Sequence, residues 1–316
     1  MHAIRIEEHG GPEVMRWTEL PDPSPGPGEA LVRLGAAGVN YMDVGARAEG
    51  GPGWAAPVIL GAEGTGYVTA VGEGVRDLAV GDRVAWFYHP GSYAELLAVP
   101  ADSLVKVPDG ISDETAAAVM MQGLTASHLS TETYPIGPGD TAVVHAAAGG
   151  VGQLLTQMIR ARGGRVIGLV SREEKVPIAK EAGADHVLVH SGGGFEEQVR
   201  ELTGGPGADV VYDGGGTGTF RSSQLALRPH GVHAYYGPHP QTCRPRSRPP
   251  LPPGLNGLRR RGTPGHLVTG RPPASGRSCR ALTDTCPHAS VSYADPPYTE
   301  QARPHSRTGQ RGRCEM

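Results

Sequence analysis

Residues 143 to 157, VVHAAAGGVGQLLTQ, run from an apolar strand through a turn of small residues into a helix start. Ala147, Gly149 and Gly152 stand at the three positions of the G-x-G-x-x-G spacing, with alanine in the first. Small residues there let the backbone approach a pyrophosphate closely, and the unpaired amides at the helix N-terminus can donate to its oxygens. The alternative is a plain tight turn. A lone motif cannot separate the two, but a run of strand-helix repeats around it favours the nucleotide.

A second group follows at the end of the next predicted strand. VIGLVSREEK places Ser171 and Arg172 there, with Lys175 one turn on, where a site for an unphosphorylated ribose would usually carry Asp or Glu. A hydroxyl and two cations suit a 2′-phosphate, so NADPH is the expected cofactor rather than NADH. Alternatively, Arg172 and Lys175 face solvent at the start of an exposed helix. Glu173 and Glu174 fit the first helical turn and its dipole.

The elements that must position these residues fall into two blocks. Up to about residue 120 the chain reads as short strands and glycine turns: HAIRIEE, EALVRLGAAGV, GTGYVTAVGEGV, GDRVAWF and GSYAELLAVPADSLVKVP. This predicts a mostly antiparallel, barrel-like domain. SDETAAAVMMQGLTASHLSTETY then switches to helical spacing, opening on an imperfect capping box at Ser112. From Gly139 onward, five apolar strands alternate with amphipathic helices and end at GVHAYYG, which predicts a parallel sheet with right-handed crossovers. A doubly wound sheet commonly has six strands. The series stops one short.

Composition breaks at the same place. Residues 1 to 240 carry 16 Lys+Arg against 28 Asp+Glu, whereas residues 241 to 316 carry 13 against 4. The tail has 12 Pro, no Lys, Ile, Phe or Trp, and all four cysteines, Cys243, Cys279, Cys286 and Cys314. Prolines at this density exclude a long helix or an interior strand, and so polar a segment cannot offset the entropy of ordering, which predicts disorder. The cysteines have no Cys-x-x-Cys pairing and are read as free thiols rather than a zinc cluster or disulfides. Loss of periodicity with enrichment in Arg, Pro, Gly and Ser is also the pattern that a shifted reading frame in a GC-rich coding sequence would give. Arg259, Arg260 and Arg261 form the densest basic cluster, but with few aromatic neighbours they make a poor nucleic-acid site. No apolar run reaches the ~18 residues of a membrane span, and the N-terminus carries acids where a signal peptide would be apolar, so a cytoplasmic protein is expected.

Taken together, GAEGTGYVTAVGEGV followed by GDRV, then MQGLTASHL and HAAAGGVGQL, resemble the zinc-independent quinone oxidoreductases, the zeta-crystallin-like branch of the medium-chain dehydrogenase/reductase superfamily. The resemblance covers residues 1 to 240. It implies an α/β protein in two parts: a GroES-like, mostly-β catalytic domain (1–122) and an NADPH-binding Rossmann domain with a doubly wound parallel sheet (123–240), truncated after the fifth strand. Residues 241–316 form the tail. Family members are homodimers, but the edge that would build the dimer falls in that tail. Metal-dependent relatives bind catalytic zinc through Cys and His, and here Asn40 and Ala62 occupy those places, so no metal is expected.

Hydride transfer from NADPH to a quinone, or to the β-carbon of an activated alkene, is the chemistry implied. In that framework Asn40 hydrogen-bonds the acceptor oxygen, or alternatively caps the local backbone, while Tyr41 and Trp54 line the acceptor pocket in place of a tyrosine that relatives carry near Gly45. Gln122, Gly123 and Thr125 line the nicotinamide end. Gly149, Gly150 and Val151 hold the pyrophosphate, Ser171 and Lys175 the 2′-phosphate, and His190 flanks the adenine. Tyr236 and Gly237 close over the cofactor, or Tyr236 is ordinary core.

Overall fold

Alternating apolar residues near the N-terminus give two antiparallel sheets in the computed structural model, which describes residues 1–236 and the backbone of 290–293. Gly237, the arginine cluster at 259–261 and the four cysteines lie outside the described residues, as does the disorder expected of the tail except at 290–293, where a strand stands instead. Strands β1 (His2–Ile6), β2 (Arg16–Glu19), β3 (Glu29–Gly38), β4 (Val58–Ile59), β5 (Glu63–Val71), β6 (Arg83–Phe87), β7 (Leu96–Pro100) and β8 (Val105–Lys106) pair as β2-β1-β4 and β7-β3-β5-β6-β8. Inward residues of the larger sheet, among them Val32, Val68, Val84, Trp86 and Val99, form one core. Each such aliphatic contributes roughly 1.5–3 kcal/mol by burial.

Helix α1 (Tyr41–Glu49) has no counterpart in the sequence reading. Its interior glycine and weak apolar face hid it, while its start is specified locally. Asn40 is the N-cap, and Asp43 Oδ2, three residues on, accepts the Asn40 N–H at 2.8 Å. Helix α2 (Asp113–His128) begins as expected at Ser112, whose hydroxyl accepts the Thr115 N–H at 3.2 Å. This is a simple N-cap rather than a capping box with a glutamate. The boundary expected between residues 122 and 123 falls within α2, one continuous helix.

The second domain follows the apolar pattern closely. Strands β9 (Thr141–Val144), β10 (Arg165–Val170), β11 (His186–Val189), β12 (Ala208–Asp213) and β13 (Leu227–Tyr235) are parallel, in the order β11-β10-β9-β12-β13. Helices α3 (Gly150–Ala161), α4 (Val176–Glu181), α5 (Glu196–Leu202) and α6 (Phe220–Leu225) connect them. Among the described residues the parallel run has five strands. Beyond it a short antiparallel strand, β14 (Ser290–Tyr293), pairs Tyr235 with Ser290 and Val232 with Tyr293. Strand order reverses between β9 and β12, so the crevice for a ligand opens at their C-terminal ends.

Candidate active site

The turn after β9 has the shape a phosphate needs. Ala146 takes a left-handed conformation (φ 47°), and its carbonyl accepts the Gly149 N–H at 2.7 Å. A Cβ on Gly152 would lie 2.3 Å from that same oxygen, so a side chain there would push α3 off the strand end. Ala147 is fully buried and donates its N–H to Leu169 O at 3.0 Å. No side chain caps α3 at Gly149, which leaves the first amides of a three-turn helix facing the crevice. At Gly150 the space for a Cβ is filled by the Gln122 carboxamide, 1.9 Å from the ideal position, which ties α2 to α3. Val151 packs against the domain core.

A cleft of about 290 Å³ opens from this turn and is lined in part by Gly149, Ser171, Lys175 and His190. Four predicted residues on three different segments are thus brought together. Arg172 is exposed and outside the lining. Gly123 needs no special space, since a Cβ there would make only ordinary contacts with Val119 and Leu154. Tyr236 lies over Gly214 and packs against the core cluster, away from the cleft lining.

His145 and Thr219, which also line the cleft, belong to a buried cluster that the sequence reading missed. Its centre is Asp213 at the end of β12, with no exposure. Asp213 accepts from the Gly215 N–H at 2.8 Å, Thr219 Oγ1 at 2.9 Å and Ser223 Oγ at 2.6 Å. His233 Nε2 lies at 3.2 Å and His145 Nδ1 at 3.5 Å. His145 Nε2 in turn meets Ser223 Oγ at 3.1 Å. Burial pushes the Asp213 carboxyl up, but hydrogen bonds from His233, Ser223 and Gly215 oppose it, and the group is held well below the carboxylate range. Burial lowers the His145 imidazole to about 4, against the pull of Asp213, so it is neutral near pH 7.

On the catalytic-domain side, Asn40 is 9% exposed and its Nδ2 donates to Glu63 Oε1 at 2.7 Å. Glu63 Oε2 accepts the Met121 N–H of α2, also at 2.7 Å. Burial pushes the Glu63 carboxyl up despite these two bonds. Tyr93 Oη donates to Asp43 Oδ2 at 2.8 Å, completing the support behind α1. Thr125 Oγ1 donates to the Met121 carbonyl at 2.7 Å, so one residue links it to Glu63. Tyr41 is 78% exposed at the first turn of α1, whereas Trp54 is core, 7% exposed, and does not line a pocket with it.

Two family models match this chain: the alcohol dehydrogenase GroES-like domain over residues 26–109, and the zinc-binding dehydrogenase over residues 150–263, past the compositional break. A 2-haloacrylate reductase of Burkholderia sp is 41% identical over 245 residues, covering 74% of this chain and 72% of the relative. A quinone oxidoreductase of Pseudomonas aeruginosa is 41% identical over 235 residues, with the same coverage. A mycobacterial structure complexed with NADPH is 45% identical with a TM-score of 0.72, covering 75% of this chain and 74% of that one. A two-domain, nucleotide-binding oxidoreductase is what the fold and cleft define. The chain belongs to the medium-chain dehydrogenase/reductase superfamily, among the quinone oxidoreductases. A zinc site does not fit its residues: Asn40 and Ala62 stand beside a Glu63 whose two oxygens already accept N–H bonds. Among the described residues no group of three His, Cys, Asp or Glu could hold a metal.

Proposed function

We propose that this chain is a zinc-independent, NADPH-dependent reductase of quinones or of activated alkenes, acting on a small molecule. The observation that carries the reading is the cleft at the switch point, where the uncapped start of α3 and Gly149 share one cavity with Ser171 and Lys175. Helix amides meet a pyrophosphate there, and a hydroxyl with an ammonium meets a 2′-phosphate. When bound, the nicotinamide supplies the hydride, and the acceptor takes up one proton with it. Asn40 is the donor to the acceptor oxygen, Gln122 and Thr125 border the nicotinamide, and Tyr41 lines the entrance. His190 flanks the adenine. Arg172 extends the cationic rim only if its exposed side chain swings in. Reduction of activated alkenes is supported by a 2-haloacrylate reductase among the relatives at 41% identity.

The test uses the full chain: thermal stability with NADPH and with NADH, then NADPH oxidation with a panel of quinones and enones. Stabilisation by NADPH well above that by NADH, with turnover of at least one acceptor, is expected. Stabilisation without turnover would leave a nucleotide-binding product. Lys175→Ala should lower affinity for NADPH about tenfold and leave that for NADH unchanged. A homodimer is the family expectation, and size-exclusion chromatography with light scattering decides it. Intact mass and resequencing across residue 240 decide whether the tail is genuine.

A further inference from the structure

Glu63 is fully buried and lies outside the lining of the cleft at the start of α3. One oxygen takes Asn40 Nδ2 and the other takes the Met121 N–H, so the side chain bridges the start of α1 to the middle of α2. The bridge is fitted closely: a Cβ on Gly38, the last residue of β3, would lie 2.1 Å from Glu63 Oε1. Gln122 follows Met121 directly and rests on Gly150 at the start of α3. From the acceptor side to the cofactor side the contacts are therefore continuous: Asn40, Glu63, Met121, Gln122, Gly150.

We propose that Glu63 is a positioning residue for the reduction, spending one N–H of the Asn40 amide and fixing the other at a set distance from the nicotinamide border carried by α2. The inference rests on the reductase reading and on Asn40 as the donor. An amide free to turn about its last bond offers its oxygen or its nitrogen with similar ease. A carboxylate accepts only, so it selects the nitrogen for its own side and thereby sets the whole group. The same oxygen pair ties the donor to the helix that borders the cofactor, and a displacement of about 1 Å between reacting partners can cost a hundredfold in rate.

Two variants disturb this arrangement differently. Glu63→Gln keeps size and burial but puts an NH₂ where one of two N–H donors must be accepted, so Asn40 turns over or loses its partner. Gly38→Ala leaves Glu63 in place chemically and pushes its oxygen away, and Gly38 lies outside the left-handed region, so its backbone tolerates alanine. In the full-length protein each should lower kcat about tenfold or more, with KM for NADPH and the thermal shift on adding NADPH unchanged. Combined with Asn40→Ala, Glu63→Gln should cost nothing further, because both act through one group. Wild-type kcat in both variants, equal loss in KM for NADPH, or costs that multiply with Asn40→Ala would overturn the positioning role alone. A wild-type chain that reduces no acceptor in the panel would overturn the reductase reading, and this inference with it.

Discussion

Two buried carboxylates, one in each domain, end in opposite ionisation tendencies, and the number of donors around each explains why. Asp213 gathers a backbone N–H, two hydroxyls and the His233 imidazole, and these outweigh the loss of water. Glu63 has two N–H donors only, and burial wins. Neither is paired with Lys or Arg among the bonds described. Burial alone does not set the charge of an acid; the count of aligned donors does. The cluster at Asp213 favours the charged carboxylate beneath the nucleotide cleft, while burial shifts the balance at Glu63 the other way.

Removing the charge at the richer site is the hardest blow to this contrast. Asp213→Asn leaves His145, His233 and Ser223 facing an amide that can accept at one atom only, and should cost about 3–5 kcal/mol in chemical denaturation. NADPH affinity should fall with it, since Gly215 and Thr219 shape the cleft. A loss under 1 kcal/mol would show that the hydrogen bonds around Asp213 contribute little.

Acid should separate the two sites next. His145 titrates at about 4 folded and about 6.5 unfolded, so between these values the unfolded chain binds more protons and stability falls as pH falls. The depressed Asp213 acts in the same sense at lower pH, as it protonates below its unfolded value. The His145 contribution is on the order of 3 kcal/mol between pH 7 and pH 4. Glu63 and Asp43, both raised by burial, act oppositely, favouring the fold at low pH and losing that contribution as pH rises through their folded values. Stability measured against pH in wild type and His145→Gln should show a shallower acid slope in the variant.

The smallest effect on stability is expected at Glu63. Glu63→Gln should change unfolding free energy by no more than about 1 kcal/mol, because the charge it removes was not stabilised in place. A large loss would move Glu63 to the same class as Asp213.

Much of the fold was legible because the second domain consists of apolar runs at strand length joined by helices with one apolar face. Ser112 and the Ala147 to Gly152 spacing were legible for local reasons, one a cap and the other a close backbone approach. The Asp213 cluster was not. Its members come from just past β9, the end of β12, the start and body of α6, and β13, with Ser223 and His145 separated by 78 residues, and DGGG on its own reads as a turn. Glu63 gives no sign of its role in the sequence, because its partners, the amide of Asn40 at the start of α1 and a backbone N–H on α2, leave no mark in spacing. Helix α1 itself was missed despite Asn40 and Asp43 standing three apart. Trp54 misled through size alone, as a large aromatic near a presumed pocket is as well suited to the core.

Helix α2 runs without interruption from Ser112, beside the catalytic sheet, to His128, against α3. Over its middle turn it carries Met121, held by Glu63, then Gln122 and Thr125. A rod of this kind transmits rotation but not stretch. If the two halves of the molecule swing to admit or release an acceptor, the gap between the Glu63 anchor and the Gln122 contact at Gly150 keeps its length. The working distance between the two halves is then gauged by two consecutive residues of one helix, and only the walls around it move.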